Sequence, residues 1–260
     1  MLNLLSKNLL VNQKWRPKKY DWSNISKEDT ILLLHFDGRT YKDSSIYNCT
    51  TEHSDTYEAG DETLYWLTDA EHKFGDAAWR MWGYSYSDSI ALYDLSNSNW
   101  KFGDTDFTID FWIKRNGNDP LWINDSKGYI WGLQGNSGGG FQSNISYGKI
   151  YITAPTFIQT YDFDIYTPTP DDNEWHHFAY VWDKKSKLIQ FYLDGKKADY
   201  RQQCDLEQLD TELRKKIYVG GHYEGYYMYS FGGFLDEFRI TKKKVWEKDF
   251  IPPTKQYNFI

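Results

Sequence analysis

The sequence predicts an all-β protein, an antiparallel sandwich or barrel of many short strands with one inserted helix and an N-terminal arm. Three observations carry this reading. Short apolar or alternating runs recur along the 260 residues, with turn residues between them. Aromatic residues make up 19% of the chain, including 12 Trp and 22 Tyr, and such side chains favour strands. Only one stretch, Asp205–Arg214, has helical spacing, with Leu206, Leu209 and Leu213 recurring behind a capping Asp205.

Residues 1–29 stand apart because they show no sustained period. They carry Leu2, Leu4, Leu5, Leu9, Leu10, Val11, Trp15 and Trp22, then the polar run Asn24, Ser26, Lys27, Glu28 and Asp29. A free tail has no use for so much apolar surface, so residues 1–29 are expected to dock as an arm or linker, with residues 30–260 forming the sandwich. Ile31–Phe36 is a continuous apolar run, the pattern of a strand covered on both faces, and Asp37-Gly38 ends it. Short strands are expected at 63–67, 77–82 and 89–93. Residues 106–114 alternate cleanly: Phe107, Ile109, Phe111 and Ile113 share one face, while Thr108, Asp110, Trp112 and Lys114 share a face that is polar apart from the Trp.

Further strands are expected at 149–153, 156–160, 174–182 and 187–193. Asp183-Lys-Lys-Ser186 closes a hairpin between the last two, and Asp194-Gly195 turns the chain into 196–200. Residues 216–221 form a short strand ending in glycine. The last long strand is 231–241, where strict alternation puts Phe234, Asp236, Phe238 and Ile240 on one face and Leu235, Glu237 and Arg239 on the other. Asp236 then shares a face with phenylalanines, and a buried carboxylate is costly unless it is paired, hydrogen-bonded or metal-bound.

Composition excludes several classes. The net charge of -7 and pI near 5.4 disfavour a nucleic-acid-binding surface. No run reaches the roughly 18 apolar residues of a membrane span. The two cysteines, Cys49 and Cys204, make no disulfide framework, and no signal peptide is read at the start, so folding in a reducing cytoplasm is expected. Gly135–Gly140 lacks the Lys-Ser/Thr of a phosphate loop.

Several segments in order then carry a resemblance: Leu32–Gly38 with Asp43-Ser-Ser45, Lys73-Phe-Gly-Asp-Ala77, Gly103–Ile113, Trp175–Ala179, Phe191–Gly195, Ile217–Gly221, Gly233–Thr241 and Phe250–Thr254. This series resembles the laminin-G-like, concanavalin A-like jelly rolls, in the version common in bacteriophage structural proteins. The resemblance spans residues 30–254 and leaves out the arm. It implies a two-sheet antiparallel jelly-roll sandwich, with sheets about 10 Å apart. It also implies a structural Ca2+ held by Asp43 and Asp236, with carbonyls near Gly75 and with Asp37 as a weaker ligand. Residues 119–148 and 206–215 exceed shorter relatives and are expected as surface elaborations.

For ligands, the aromatic surplus suits sugar stacking, and Tyr223, Tyr226, Tyr227 and Tyr229, together with Trp131, are the residues expected to contact carbohydrate. Such residues serve protein docking equally well. For catalysis only Glu174 and the Asp236/Glu237 pair come forward, and the Glu-x-Asp-x-x-Glu strand motif of related hydrolases is missing. Asp110 reads as solvated, and adjacent His176 and His177 face opposite sides of a strand. The expectation is a non-catalytic structural or adhesive module of a phage virion, assembled in the bacterial cytoplasm. Its arm would hold other virion proteins and its sandwich host surface carbohydrate, with no nucleic acid and no membrane as partner. A free carbohydrate-binding protein is the alternative, and a glycoside hydrolase the one after it.

Overall fold

The computed structural model describes residues 25–54, 67–82, 90–115, 128–133, 141–146, 149–153, 165–168, 172–203, 206, 216–224, 227–229 and 231–258. In chain order the strands are β1 (Thr30–Leu34), β2 (Thr50–Ser54), β3 (Leu67–Thr68), β4 (Ala78–Trp82), β5 (Ile90–Asp94), β6 (Phe107–Lys114) and β7 (Gly128–Leu133). They continue with β8 (Gln142–Ser146), β9 (Lys149–Thr153), β10 (Ile165–Pro168), β11 (Trp175–Asp183), β12 (Leu188–Leu193), β13 (Lys196–Gln203) and β14 (Lys216–Val219). The last three are β15 (His222–Glu224), β16 (Tyr227–Tyr229) and β17 (Gly232–Thr241).

The strands pair into two large antiparallel sheets. An eight-stranded sheet runs β13-β12-β11-β6-β17-β4-β3, with β1 also on β17, and a seven-stranded sheet runs β10-β9-β8-β7-β14-β5-β2. The hairpin β15–β16 forms a separate ribbon. β17 is the hub of the larger sheet: one edge pairs with β6, and the other pairs with β4 in its first half and β1 in its second. This is the predicted two-sheet jelly-roll sandwich.

Alternation explains the inner core. Phe107, Ile109, Phe111 and Ile113 of β6 all point between the sheets, as their spacing predicts. Cross-strand partners then stack: Phe111 on Phe178 at 5.9 Å and on Phe238 at 5.7 Å, and Phe107 on Trp182 at 5.6 Å. Across the core, Ser143 of β8 and Tyr180 of β11 share a 2.7 Å hydrogen bond that ties one sheet to the other. All five residues of β1 are buried, as its continuous apolar run predicts.

Two predicted elements, the strand at 156–160 and the helix at 205–214, lie outside the described residues, apart from a buried Leu206. The reading of 119–148 as surface elaboration is corrected, because it contains β7 and β8, two strands of the seven-stranded sheet. Both hide their period. β7 has glycines at 128 and 132 and a register shift between Tyr129 and Trp131, and β8 is mostly polar.

A second apolar layer covers the outer face of the eight-stranded sheet. After β17 the chain runs back across that face as a strap, residues 242–258. Val245, Trp246 and Phe250 of the strap pack on Ala179, Val181 and Tyr192, and Ile25, just before β1, joins the same cluster. Trp246 and Phe250 stack face to face at 4.0 Å. The strap is pinned where Phe250 N donates to Gly195 O (2.8 Å) and Lys197 N donates to Asp249 (2.9 Å). Gly195 has φ +72°, and a Cβ there would overlap the Phe250 carbonyl oxygen, so only glycine lets the strap approach. Gly195→Ala is therefore expected to destabilise the fold by about 2 kcal/mol in urea titration, and Trp246→Ala by about 3 kcal/mol. Values near zero for both would show that the strap contributes nothing to stability.

Candidate functional site

The strand that holds the candidate acids does not alternate strictly. Asp236 pairs with Trp112 and Arg239 with Asp110, so Glu237 and Phe238 together stand opposite Phe111. This is a β-bulge, and Glu237 absorbs the extra residue at φ 52°, in left-handed backbone. Parity shifts at that point. Leu235, Phe238 and Ile240 enter the core, whereas Asp236 and Arg239 lie on the outer face beside Trp112 and Asp110. The expectation that Asp236 shares the core face with Phe238 and Ile240 is thus corrected by a one-residue bulge.

Asp236 is buried and held by three backbone donors: Lys73 N (2.7 Å), Phe74 N (3.1 Å) and Glu237 N (2.8 Å). Burial first, and then neighbouring Glu237, push its carboxyl up to about 8, against the pull of those donors. Glu237 bonds His35 Nδ1 at 2.7 Å and accepts from Tyr257 N at 3.3 Å, and burial raises its carboxyl as well.

The sequence alone suggests a solvated Asp110. It is instead fully buried beneath the strap, because the outer face of β6 is roofed. Arg239 meets it through Nε at 2.9 Å and through a second nitrogen at 3.2 Å, a two-point pair between cross-strand neighbours. His177 Nε2 lies 3.3 Å from Asp110, and the Tyr257 hydroxyl donates to the same carboxylate. The Arg239 guanidinium also sits 3.8 Å from the centre of the Tyr257 ring. Burial opposes ionisation of Asp110, yet Arg239 and His177 together hold it below the usual carboxylate range. Burial pushes His177 down, so its imidazole is neutral at neutral pH. Removing one partner of such a pair strands the other. Arg239→Met alone is expected to cost about 3–5 kcal/mol in denaturant unfolding, and the double change Asp110→Leu, Arg239→Met to recover most of that. A double variant no more stable than the single one would contradict this account.

The residues expected to hold calcium do not fit the ion. Asp43 accepts from Leu33 N, Ser45 N, Ser45 Oγ and Cys49 N at 2.7–3.0 Å, two donors on each oxygen, which fills its lone pairs. Asp37 takes Asp76 N (2.9 Å) and the Gln256 amide, and its carboxylate lies against Gly75, where a Cβ would overlap it. Asp236 and Asp37 do converge on the turn 73–76, but as acceptors of its N–H groups. Among the described residues no group of three His, Cys, Asp or Glu side chains is placed to hold a metal. Chelation is expected to leave the melting temperature unchanged. Asp43→Ala is expected to lower stability by about 3 kcal/mol, since it strands four buried donors. A calcium-dependent rise in melting temperature would overturn this reading.

Nor do the named acids form an open catalytic pair. Asp236 and Glu237 are buried and Glu174 is exposed. His176, near the surface, bonds Asp194 (2.7 Å) and Asp172 (3.0 Å), which raise its affinity for a proton.

Trp131 is also misplaced for ligand contact. It is fully buried in the inner core against Phe141 at 4.9 Å and Tyr180 at 6.0 Å, because β7 turns that position inward. Of the tyrosines expected to bind, Tyr226 lies outside the described residues. Tyr223, Tyr227 and Tyr229 stand on the β15–β16 ribbon. Its register places positions 222, 224, 227 and 229 on one face and 223 and 228 on the other. β15 lies beside β7.

The residue set that sequence reading missed is a row on the outer face of the seven-stranded sheet. Register aligns Tyr129, Asn144, Tyr151 and Tyr166 across β7, β8, β9 and β10. Ile150, Ile152 and Ile145 fill the core from the alternate positions, so the row's positions fall on the sheet's other face, where Tyr129 and Asn144 are themselves buried. Four strands make it roughly 14 Å across. Gly132 and Gln142 form a parallel row with Tyr218. Alternation within 149–153 was the available signal for Tyr151, but the row emerges only when the strands are paired.

Two packed antiparallel sheets with this strand order define a lectin-type sandwich. The chain belongs to the concanavalin A-like lectin/glucanases superfamily, whose laminin-G family model matches residues 85–249. No curated protein matches the sequence. Among solved structures it is similar to the receptor-binding domain of botulinum neurotoxin C/D mosaic serotype, with a TM-score of 0.58, 16% identity, and coverage of 84% of this chain and 49% of that one. The binding domain of botulinum neurotoxin DC, solved with rat synaptotagmin II, gives a TM-score of 0.60 at 16% identity, covering 84% of this chain and 49% of that one. The serotype D ligand-binding domain, solved with N-acetylneuraminic acid, gives 0.56 at 18%, covering 85% and 49%. At these identities the likeness is one of fold, and the chain spans about half the length of those domains.

Proposed function

We propose that this chain is a non-catalytic, glycan-binding adhesive module carried on a bacteriophage particle. The observation that carries the glycan reading is the register that sets tyrosine positions 151 and 166 side by side on β9 and β10, at the edge of the seven-stranded sheet and alternate to the core positions 150 and 152. Tyrosine rings offer apolar faces to pyranoses and hydroxyls to their polar edges. Superfamily membership supports the same reading, as do the neurotoxin domains solved with a sialic acid and with a protein receptor. The buried state of Asp236 and Glu237 speaks against hydrolysis at the acids named from sequence.

The virion role rests on the resemblance to phage structural jelly rolls and on the apolar residues among positions 1–24. Ile25, the first described residue, packs on the outer face of the eight-stranded sheet. Many copies on one particle turn weak sugar contacts into avidity.

A glycan array with the full chain tests the binding. Tyr151→Ala and Tyr166→Ala are expected to weaken capture about tenfold each while leaving unfolding midpoints nearly unchanged. Removal of residues 1–24 is expected to leave glycan capture intact and to abolish incorporation into particles. Release of reducing ends from a polysaccharide would make the chain a hydrolase, and capture unaffected by either tyrosine change would move the site off this row.

A further inference from the structure

The outer layer of the eight-stranded sheet holds a buried imidazole that neither the inner core nor the tyrosine row uses. The His177 ring is enclosed by Trp112 of β6 and by Trp246 and Phe250 of the strap, with ring centres 5.1, 5.5 and 5.7 Å away. Its Nε2 has Asp110 at 3.3 Å, while its buried Nδ1 has no hydrogen-bond partner. Neutral imidazole tolerates this, since one nitrogen needs no donor partner. Imidazolium carries two N–H donors, and the second would be buried unpaired.

The surrounding charges do not rescue it. From β6 comes Asp110, already shared with Arg239 and the Tyr257 hydroxyl. From β17 comes Arg239, a cation that opposes a second one, and beyond it Glu237, bonded to His35. From the turn after β12 comes Asp194, which is bonded to His176. From the strap come the Tyr257 phenol and two apolar rings.

We propose that the strap is an acid-released clasp: it closes over neutral His177, and protonation of His177 favours a state in which residues 245–258 lift off the sheet. The sign follows from linkage. Burial lowers the affinity of His177 for a proton in the closed form, so closure is favoured above the ordinary histidine value of about 6.5 and weakens as pH falls through it. Asp110, Asp194 and Asp249 are held below the usual carboxylate range by their partners, so acid weakens closure at them as well, but only below about pH 4, outside the histidine window. Three other shifted groups nearby act in the opposite sense. Asp236 and Glu237 are raised by burial, and His176 is raised by Asp194 and Asp172, so acid stabilises the folded form at each of them. Ile25 packs in the same cluster as Trp246, so lifting the strap also loosens the stretch that enters β1. The consequence is a module whose two flanking segments are held at neutral pH and freed in acid.

Hydrogen exchange on the full chain reads this directly. The reporters are the amides of Val245, bonded to Thr108 Oγ1 (3.0 Å), and Phe250, bonded to Gly195 O (2.8 Å), with Ala179 in the middle of β11 as the control. Between pH 7.5 and 5.5, after correction for intrinsic exchange, protection at Val245 and Phe250 is expected to fall several-fold while Ala179 holds. In His177→Phe, which fills the aromatic box without titrating, that fall is expected to vanish. Should the variant not fold, an NMR titration of the wild-type imidazoles decides instead: the loss of strap protection must share its midpoint with His177. A fall that persists in His177→Phe, a midpoint that follows His35 or His176, or a strap fully protected at pH 5.5 would each overturn the proposal.

Discussion

The buried pair between Asp110 and Arg239 is the interaction on which the outer half of the molecule depends. Charges on a sheet face need either water or a complete set of partners. Here the partners come from four elements: Asp110 from β6, Arg239 from β17, His177 from β11 and Tyr257 from the strap. The pair exists only because of the bulge. Counting without it from Asp236 opposite Trp112, Glu237 would face Phe111 in the core and Phe238 would face Asp110 outside it. A left-handed residue at Glu237 costs on the order of 1–3 kcal/mol, less than burying a carboxylate among phenylalanines. One inserted residue therefore sends Phe238 into the core and Arg239 to its counter-ion.

That choice makes the two outer faces unlike. The eight-stranded sheet spends its outer face on packing: the strap and Ile25 cover it, with Trp246 and Phe250 as the apolar part and Tyr257 as the polar part. The seven-stranded sheet aligns a row of tyrosine and amide positions that the inner core does not use, with Tyr129 and Asn144 buried within it. A sandwich core only two side chains thick separates the two, and the Ser143–Tyr180 bond crosses it.

The parts legible in the sequence are those where period and burial agree. β6, β11, β12 and the ends of β17 follow from alternation, and the fold class follows from them. β7 and β8 were hidden by glycines, a register shift and polar residues that face outward. The bulge was invisible because it leaves the composition of the strand unchanged and alters only its parity. The strap has no period at all, since Val245, Trp246, Phe250 and Tyr257 gain meaning only from the sheet beneath them. A signal was nevertheless present: Trp112 stood alone on an otherwise polar face, and Asp110 and Arg239 carried opposite charges on neighbouring strands. A lone Trp among polar residues marks a face that is roofed. The calcium ligands failed for a different reason. Sequence marks a carboxylate that needs partners, but not whether backbone N–H groups, as at Asp43, supply them all.

The same physics sets Asp236 apart from the acid it resembles. Asp110 of β6 and Asp236 of β17 are both fully buried on the outer face of the same sheet, on neighbouring strands, with Asp236 opposite Trp112 and Asp110 opposite Arg239. Asp110 has a cation bonded to it at 2.9 Å and stays ionised, whereas Asp236 is bonded only by backbone N–H groups beside the carboxylate of Glu237, with Lys73 acting on it without an ion pair, and its carboxyl rises. Both are buried, so the bonded counter-ion at one and the like-charged neighbour at the other decide the charge state. The bulge that delivers Arg239 to Asp110 is also what brings Glu237 out of the core beside Asp236, and one backbone irregularity thereby fixes the protonation of both carboxylates.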